Sequence, residues 1–409
     1  MDIYKRIIKE YEAIPFQGLP RGFDPELYRL QSAVTIIGPR RAGKTTYLRE
    51  IIHTLNLSHF LFLNFEDERI LHLPEIDPFL EAYYELYQEK PHIFLDEVQN
   101  AQLWHQKVRR LIDQGYKVFL TGSNANLLSK EIATHLAGRT FVKTILPFSF
   151  LEMLRLKGIE PDSQTIYGEQ RFTVKNLFGE YLVYGGFPEV IQTALKKELL
   201  RQYFDMVFYR DLVSRYRIRQ ETVLRLLIKK LHENIGSPYR VSALRNKIAQ
   251  FMKVSKQTIF DYLHYLEEAY MMVHVQNYRR SFMVRETERK SYFIDNGFVT
   301  ILSLEDEPGK LLEQGVFLEL LKRGREVYYF REKYECDFVA VSEGRIAEVI
   351  QTTWRLTDQN RDREVRGLLE TLKKVGKDTG FILTENQDET LEVEGKQILV
   401  RPAWRWILG

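Results

Sequence analysis

One stretch of the sequence places glycine, lysine and threonine at a spacing that suits phosphate binding. It satisfies the pattern G-x-x-x-x-G-K-[ST] and reads Gly38-Pro39-Arg40-Arg41-Ala42-Gly43-Lys44-Thr45, with Thr46 following. The glycines let backbone N–H groups approach phosphate oxygens, and the N-terminus of a following helix adds positive charge. Lys44 would reach the β- and γ-phosphates, and the Thr45 hydroxyl would coordinate Mg²⁺. These residues predict a nucleotide-binding loop.

Two adjacent acidic residues, Asp96 and Glu97, follow an apolar run at residues 92–95. Ligands of parallel sheets bind at the carboxyl ends of the strands, so we expect Asp96 to hold Mg²⁺ through water. Glu97 would orient and deprotonate an attacking water molecule. The chain contains no Asn-Lys-x-Asp sequence of the kind that recognises guanine, which favours ATP over GTP. These features predict Mg²⁺-dependent ATP hydrolysis.

Two further positions are candidates for contact with the γ-phosphate. Ser123 or Asn124, after the apolar run at residues 117–121, would sense it from between the loop and Asp96. Arg139 would act as a catalytic arginine that reaches the nucleotide of a neighbouring subunit. An exposed structural arginine at a helix end is an equally good interpretation of Arg139.

The elements that must position these residues alternate along the chain. Strand-like apolar runs are separated by helical patterns, and this alternation predicts an α/β fold with a parallel sheet covered on both faces; the runs are 33–37, 59–64, 92–95 and 117–121. Residues 147–219 have a mostly helical pattern. Residues 222–282 predict three helices followed by a β-like stretch, the order of a winged helix. After Lys290 the chain returns to strands and helices.

The motifs together resemble a known family, the bacterial and archaeal AAA+-type ATP-binding proteins with a C-terminal domain of unknown function. The resembling segments are Gly38–Thr46, Leu95–Gln99, Thr121–Ser123, Leu136–Arg139, Pro147–Phe150, Tyr184–Glu189 and Tyr209–Asp211. The resemblance implies an ATPase core over residues 1–146, a helical lid over 147–221, a winged-helix domain over 222–290 and a restriction-endonuclease-like domain over 291–409. It also implies that Pro188 lies near adenine and that Arg210 is a sensor on the lid. An ion pair between Arg210 and Asp211 is an equally good interpretation.

The nuclease-like domain that the resemblance implies lacks one catalytic residue. Such nucleases hold Mg²⁺ with an Asp and a Glu and place a Lys two residues after the Glu. Asp337 and Glu348 have a suitable spacing, but position 350 is Ile. If Gln351 takes the place of the Glu, position 353 is Thr. We therefore expect a degenerate nuclease site without metal-dependent DNA cleavage.

The winged-helix region offers a candidate DNA-binding surface. Ser255 is a suitable N-cap, and Lys256 and Gln257 follow on the first turn of the presumed recognition helix. Arg279 and Arg280 lie in the presumed wing. Acidic residues dilute this charge, and the alternative is a surface that docks a protein or acts as a lid.

Composition limits the class of protein. The 409 residues are 44% hydrophobic and 28% charged, which predicts two or three folded domains. The net charge of +3 is too small to hold nucleic acid by overall charge. The single cysteine, the charged N-terminus and the absence of a long apolar run predict a cytoplasmic protein with no membrane partner.

Two functions fit the whole sequence. The first is a homo-oligomeric ATPase that binds DNA and remodels, translocates or processes it. The second is a regulatory or defence switch, in which ATP controls binding to a protein partner and turnover is slow.

Overall fold

The computed structural model describes residues 2–73, 75–123, 136, 138–278 and 288–409. The chain forms two compact units. The first contains Met1–Leu146 with Glu268–Tyr270, and the second contains Pro147–Glu267 with Met271–Gly409.

The first unit is built on a five-stranded parallel sheet. Its strands are β1 (Ala33–Ile37), β2 (Leu61–Asn64), β3 (Ile93–Asp96), β4 (Val118–Gly122) and β5 (Thr140–Thr144). Their spatial order is β2-β3-β4-β1-β5, and every neighbouring pair is parallel. The helices are α1 (Ile3–Glu12), α2 (Glu26–Arg29), α3 (Lys44–Thr54), α4 (Glu68–Leu71), α5 (Asp77–Tyr87) and α6 (Trp104–Asp113), and a 3₁₀ turn covers Val98–Asn100.

Both faces of this sheet are covered by apolar side chains. One core cluster contains Ile7, Phe79 and Val108, from α1, α5 and α6. The other contains Leu48 and Ile51, from α3. Strands β1, β3 and β4 are buried along their whole length, as a sheet covered on both sides requires. The predicted α/β core with a parallel sheet is confirmed.

The second unit begins with helices. These are α7 (Phe150–Leu156), α8 (Ser163–Tyr167), α9 (Gln170–Tyr184), α10 (Pro188–Gln192) and α11 (Lys196–Met206), followed by a π-helical segment at Val207–Ser214. Next come α12 (Glu221–Glu233), α13 (Val241–Ala249), α14 (Lys256–Glu268) and an antiparallel hairpin of β6 (Met272–Gln276) and β7 (Arg289–Phe293).

A second sheet occupies the C-terminal part of this unit. It follows α15 (Asn296–Leu302) and α16 (Pro308–Lys322) and contains β8 (Glu326–Arg331), β9 (Glu335–Ser342), β10 (Arg345–Thr352), β11 (Thr379–Thr384), β12 (Glu389–Val393) and β13 (Lys396–Pro402), with helices α17 (Arg361–Val375) and α18 (Ala403–Leu408). The order is β12-β13-β11-β10-β9-β8, with both parallel and antiparallel pairs. Cys336 is buried in its core, and burial raises the pKa of the thiol to about 12.

No helix within the described ranges is long and apolar enough to cross a membrane.

Candidate active site

The loop between β1 and α3 has a backbone that requires glycine at two positions. Gly38 has φ +148°, and a Cβ there would lie 2.0 Å from the carbonyl oxygen of Ile145. Gly43 has φ +94° and immediately precedes α3. Residues that carry a side chain rarely adopt these backbone angles. Both glycines of the motif are therefore needed to bend the chain from strand to helix.

Lys44 and Thr45 begin α3 and connect the loop to the end of β3. The Lys44 ammonium donates to the carbonyl of Pro39 at 3.1 Å and lies 3.4 Å from a carboxylate oxygen of Glu97. The Thr45 hydroxyl donates to Oδ2 of Asp96 at 2.8 Å. The lysine, the hydroxyl and both acids that we predicted from the sequence therefore lie together at the carboxyl ends of the strands.

Asp96 is buried at the end of β3. Its Oδ1 accepts a hydrogen bond from Thr121 at 2.5 Å. Burial, together with the neighbouring Glu97 charge, raises the pKa of Asp96 to about 6, against the lowering effect of Thr121, Thr45 and Lys44. A buried carboxylate beside a threonine hydroxyl supplies the hard oxygen atoms that Mg²⁺ prefers, so these residues fit that ion.

Glu97 sits in a strained backbone conformation next to Asp96. Its φ is +53°, and its N–H donates to the Thr121 hydroxyl at 2.9 Å. Burial alone would raise the pKa of Glu97, but Lys44, a hydrogen bond from Gln99 and nearby Arg40 outweigh it and hold the pKa below its ordinary value. The carboxylate is therefore kept ionised, as a general base must be.

Gln99 joins the candidate base to the candidate sensor, a role that we did not predict. Its Nε2 donates to Glu97 at 2.5 Å and to the Ser123 hydroxyl at 3.2 Å. Its Oε1 is buried without a hydrogen-bond partner among the described residues. Asn124, the other candidate sensor, lies outside the described residues.

Two arginines lie within the loop, and a third contacts it from outside. Arg40 is buried and pairs with Glu66 at 2.9 Å, while Arg41 is exposed with φ +63°. Arg21, from the segment before β1, donates to the carbonyl of Ala42 at 3.2 Å. No sequence pattern marks Arg21, because its contact with the loop arises only when the chain folds back.

Arg139 lies at the amino-terminal ends of the strands, whereas the groups described above lie at their carboxyl ends. Its carbonyl accepts from the N–H of Ala33 at 2.9 Å, at the start of β1, and its guanidinium pairs with Asp113. Strand β1 is five residues long, so Ala33 at its start lies about 16 Å from Gly38 after its end. Arg139 is therefore not brought together with Lys44 of its own chain.

Pro188 and Arg210 belong to the second unit. Pro188 begins α10 one residue after a glycine pair, and the N–H of the second glycine, Gly186, donates to buried Asp295 at 2.7 Å. Arg210 is exposed on the π-helical segment, and its neighbour Asp211 lies 3.3 Å from Arg215. Contact of Pro188 and Arg210 with a nucleotide stays a prediction.

The predicted DNA-binding residues are only partly described. Ser255 accepts from the N–H of Thr258 at 3.0 Å, as an N-cap does. Lys256 is exposed on the first turn of α14, and Gln257 donates its amide to Asp261 at 2.7 Å. Arg279 and Arg280 lie outside the described residues.

The structure corrects the predicted pairing of Asp337 with Glu348. Phe338 pairs with Ile350 and Ala340 with Glu348, so Glu348 projects from the face of the sheet opposite to Asp337. There it accepts a hydrogen bond from the indole of Trp406 at 2.9 Å.

Gln351, rather than Glu348, is the β10 neighbour of Asp337. Its Oε1 accepts from the Asp337 N–H at 3.1 Å, and its amide donates to Glu364 at 2.6 Å. Among the described residues, no group of three or more His, Cys, Asp or Glu side chains is arranged to hold a metal ion.

Comparisons with known proteins agree with the geometry of the first unit. A family model described as an AAA domain matches residues 30–154, and one described as a domain of unknown function (DUF8612) matches residues 175–308. Uncharacterized protein MJ1544 of Methanocaldococcus jannaschii is 34% identical over 404 residues, which covers 94% of this chain and 90% of that protein. An uncharacterized protein of Haemophilus influenzae is 29% identical, over 90% of this chain and 93% of its own length.

Solved structures show weaker similarity. PCH-2 of C. elegans covers 51% of this chain and 61% of its own, with 13% identity and a TM-score of 0.30. DnaA of Aquifex aeolicus bound to AMPPCP covers 64% of this chain and 86% of its own, with 15% identity and a TM-score of 0.26.

Proposed function

This chain belongs to the family of Uncharacterized protein MJ1544 and carries an AAA domain of the nucleotide-binding P-loop ATPases, and we propose that it is a Mg²⁺-dependent ATPase that acts on DNA. One observation supports the ATPase part of this proposal. At the carboxyl ends of the parallel strands, Lys44 lies close to Glu97 and Thr45 donates to Asp96. One chain would thus supply a phosphate-binding cation, a hydroxyl ligand for Mg²⁺, a carboxylate that holds Mg²⁺ through water, and a base.

Each of these side chains has a separate task in the proposed reaction. The Lys44 ammonium, now shared between Pro39 and Glu97, would pair with phosphate oxygens of ATP, which releases the carboxylate of Glu97. Glu97 would then accept a proton from the attacking water at a carboxylate oxygen. Thr45 and Asp96 would hold Mg²⁺, which neutralises negative charge on the phosphates.

Substitution of Glu97 tests the assignment of the base. Glu97→Gln should keep ATP binding and lower single-turnover hydrolysis by roughly 10²- to 10⁴-fold, because the amide cannot accept the proton. Lys44→Ala should instead lose nucleotide binding or turnover. Exposed Glu85→Gln on α5 serves as the matched control and should hydrolyse ATP at the parental rate. Parental turnover by Glu97→Gln would show that another group is the base.

The DNA part of the proposal is supported by the region 222–290. Three helices are followed by a hairpin, and Lys256 is exposed beside the capped start of α14. A helix N-terminus with an exposed lysine suits a phosphate group. Such contacts should give affinity that falls steeply with salt and depends little on sequence.

Fluorescence anisotropy with duplex, single-stranded and branched DNA, with and without ATP, tests this part. Lys256→Ala should weaken binding to every DNA sequence alike and reduce the slope of log affinity against log salt by about one. Lys197→Ala, an exposed lysine of α11 outside the region, is the control. If the parental chain binds no DNA at low salt, the DNA proposal fails.

The second candidate function is a nucleotide-controlled switch that binds a protein partner. It is favoured by exposed apolar side chains next to the same helix start, where Phe251 is 69% exposed and Phe260 39% exposed. A protein partner would cover such a patch. Stimulation of ATP hydrolysis by DNA separates the two functions, since the switch predicts slow turnover that DNA leaves unchanged.

A further inference from the structure

Lys290 is a completely buried ammonium group surrounded by carboxylates. It lies on β7 with no exposed side-chain surface. Its Nζ lies 2.9 Å from Glu335, 3.2 Å from Asp337 and 3.4 Å from Glu313. Glu313 comes from α16 and the other two acids from β9, so separate elements direct acidic side chains at one point.

Aromatic groups complete the surroundings of this ammonium. The Tyr292 hydroxyl donates to Glu313 at 2.7 Å, and the Tyr329 ring centre lies 5.5 Å from the Lys290 Nζ. Burial alone would lower the pKa of Lys290, but Tyr292 and the three carboxylates outweigh it and hold the pKa well above its ordinary value. A buried charge of this kind is stable only when it is paired on several sides.

Carboxylates are the usual ligands of a hard divalent cation, but with Lys290 between them these three form no metal site in the described part of the chain. Here the centre is filled by the side chain of Lys290, with N–O separations of 2.9 to 3.4 Å. We propose that Lys290 is the built-in cation of the Glu313, Glu335 and Asp337 cluster, that it takes the place of a divalent metal ion, and that it fastens the β6–β7 hairpin to the C-terminal sheet.

Both strands of the hairpin support the fastening part of this proposal. At the end of β6, Asn277 forms a bridge with Tyr329 of β8, and the N–H of Tyr278 donates to the Tyr329 carbonyl at 2.7 Å. Lys290 makes the corresponding attachment from β7 to β9. The hairpin is therefore joined to two neighbouring strands of the sheet.

A catalytic lysine that has moved from its usual position is the competing interpretation. A catalytic lysine must touch the reacting phosphate or its water, and Lys290 has no exposed surface through which to do so. The proposal therefore predicts that the parental chain cuts no DNA with Mg²⁺ or Mn²⁺. Nicking that disappears in both Asp337→Ala and Lys290→Ala would overturn it.

Titration with Mn²⁺ alone, followed by electron paramagnetic resonance in the absence of nucleotide, tests the occupancy directly. Lys290→Met removes the charge and keeps most of the volume. It should bind one Mn²⁺ at least about tenfold more tightly than the parental chain, because three carboxylates are left without their cation. Adding Asp337→Asn should abolish the gain. Lys290→Arg should exclude Mn²⁺ like the parental chain, and Lys373→Met is the control at an exposed lysine.

Two results of this titration overturn the proposal. One is Mn²⁺ binding by the parental chain that Asp337→Asn removes. The other is a folded Lys290→Met chain with no gain in Asp337-dependent binding. If Lys290→Met does not fold, Lys290→Met with Glu335→Gln takes its place, since it removes one charge of each sign and leaves Glu313 and Asp337 as ligands. The same two results decide the outcome for that pair.

Discussion

Gln99 is placed to connect the end of β3 with the end of β4. Its single amide nitrogen is shared between Glu97 and Ser123, so a change at one side chain alters the hydrogen bonding of the other. We regard Gln99 as a positioning residue, because it contacts the base rather than the reacting atoms.

Gln99→Ala should lower kcat for ATP hydrolysis by roughly ten- to a hundredfold while leaving ATP affinity within about twofold, since misplacing a reacting group costs rate more than binding. Gln99→Asn, which keeps an amide on a shorter stem, should recover part of the loss. Single-turnover hydrolysis and binding of a fluorescent ATP analogue give the two quantities. Gln102→Ala, at an exposed neighbour, is the control. Equal losses in affinity and kcat would point to collapse of the site instead.

Asp295 is a buried carboxylate that holds backbone amides. It accepts from Gly186 at 2.7 Å and from Gly297 at 2.8 Å. Burial raises its pKa to about 6, although both hydrogen bonds and nearby Lys322 act in the other direction. The folded chain therefore retains a proton between about pH 4 and pH 6 that the unfolded chain has lost.

The stability contributed at Asp295 should accordingly be largest below about pH 4 and fall as pH rises through about 6, by about 3 kcal/mol in total. Asp295→Asn does not titrate and should flatten this part of the pH dependence. It should also be less stable than the parental chain at pH 5, because its NH₂ group faces an amide donor. Urea unfolding from pH 4 to pH 7 measures both effects, and identical pH slopes for the two chains would contradict the assignment.

The glycine pair before α10 shows how elements of the second unit pack. A Cβ on Gly186 would lie 2.0 Å from the carbonyl oxygen of Phe148, and one on Gly185 would lie 1.8 Å from Asp295. The two glycines of the motif are thus explained by contact with the Asp295 side chain at Gly185 and with the Phe148 backbone at Gly186, independently of any contact with a nucleotide.

Gly186→Ala should destabilise the second unit by several kcal/mol, since a backbone carbonyl cannot move aside as a flexible side chain can. Gly179→Ala is the matched control at an exposed position of α9, where a Cβ meets nothing within 4 Å. It should stabilise the chain by about 0.5–1 kcal/mol. Chemical unfolding of both variants checks the pair, and equal stability of the two would show that the packing at Gly186 relaxes.

The contiguous parts of the fold and the site were predictable from the sequence. The loop at residues 38–45 and the acids after β3 follow from local patterns, because strand, turn and helix are adjacent in the chain. The contact of Lys290 with Asp337 joins residues far apart in the sequence, and no local periodicity marks it.

The neighbour of Asp337 on β10 could not be predicted, because it depends on how β9 and β10 pair. The sequence places Glu348 eleven residues later, but only the register of β9 against β10 decides which side chains share a face. That register is set by tertiary packing, which selects Gln351. Spacing along the chain therefore identified the strands correctly but could not decide between Glu348 and Gln351, the two candidates that it offered.

Over the whole molecule, the position of Arg139 bears on assembly. Arg139 lies at the amino-terminal end of β1, and Lys44 lies beyond its carboxyl end. A catalytic role for Arg139 therefore requires a second chain. The proposal of a homo-oligomer with shared sites therefore depends on Arg139 being catalytic, whereas its ion pair with Asp113 fits the alternative of a structural arginine.

Mixing inactive chains tests this arrangement. Arg139→Ala and Glu97→Gln should each lose ATP hydrolysis and should regain part of it together, because some interfaces then contain both groups. Arg109→Ala, an exposed arginine on α6, controls for a general change of surface charge. Full activity from a chain that stays monomeric with ATP, by light scattering, would exclude a shared site.

Burial of Cys336 has a practical consequence for watching this protein move. It is the only cysteine in the chain, and its thiol, with a pKa near 12, has almost no thiolate at neutral pH. Maleimide and disulfide reagents should therefore not react with Cys336 in the native chain and should modify its thiol only when the C-terminal sheet opens. The parental modification rate reports the frequency of that opening. A cysteine introduced at an exposed position would consequently be the single fast-labelling site, so fluorophores can be attached without removing a native residue.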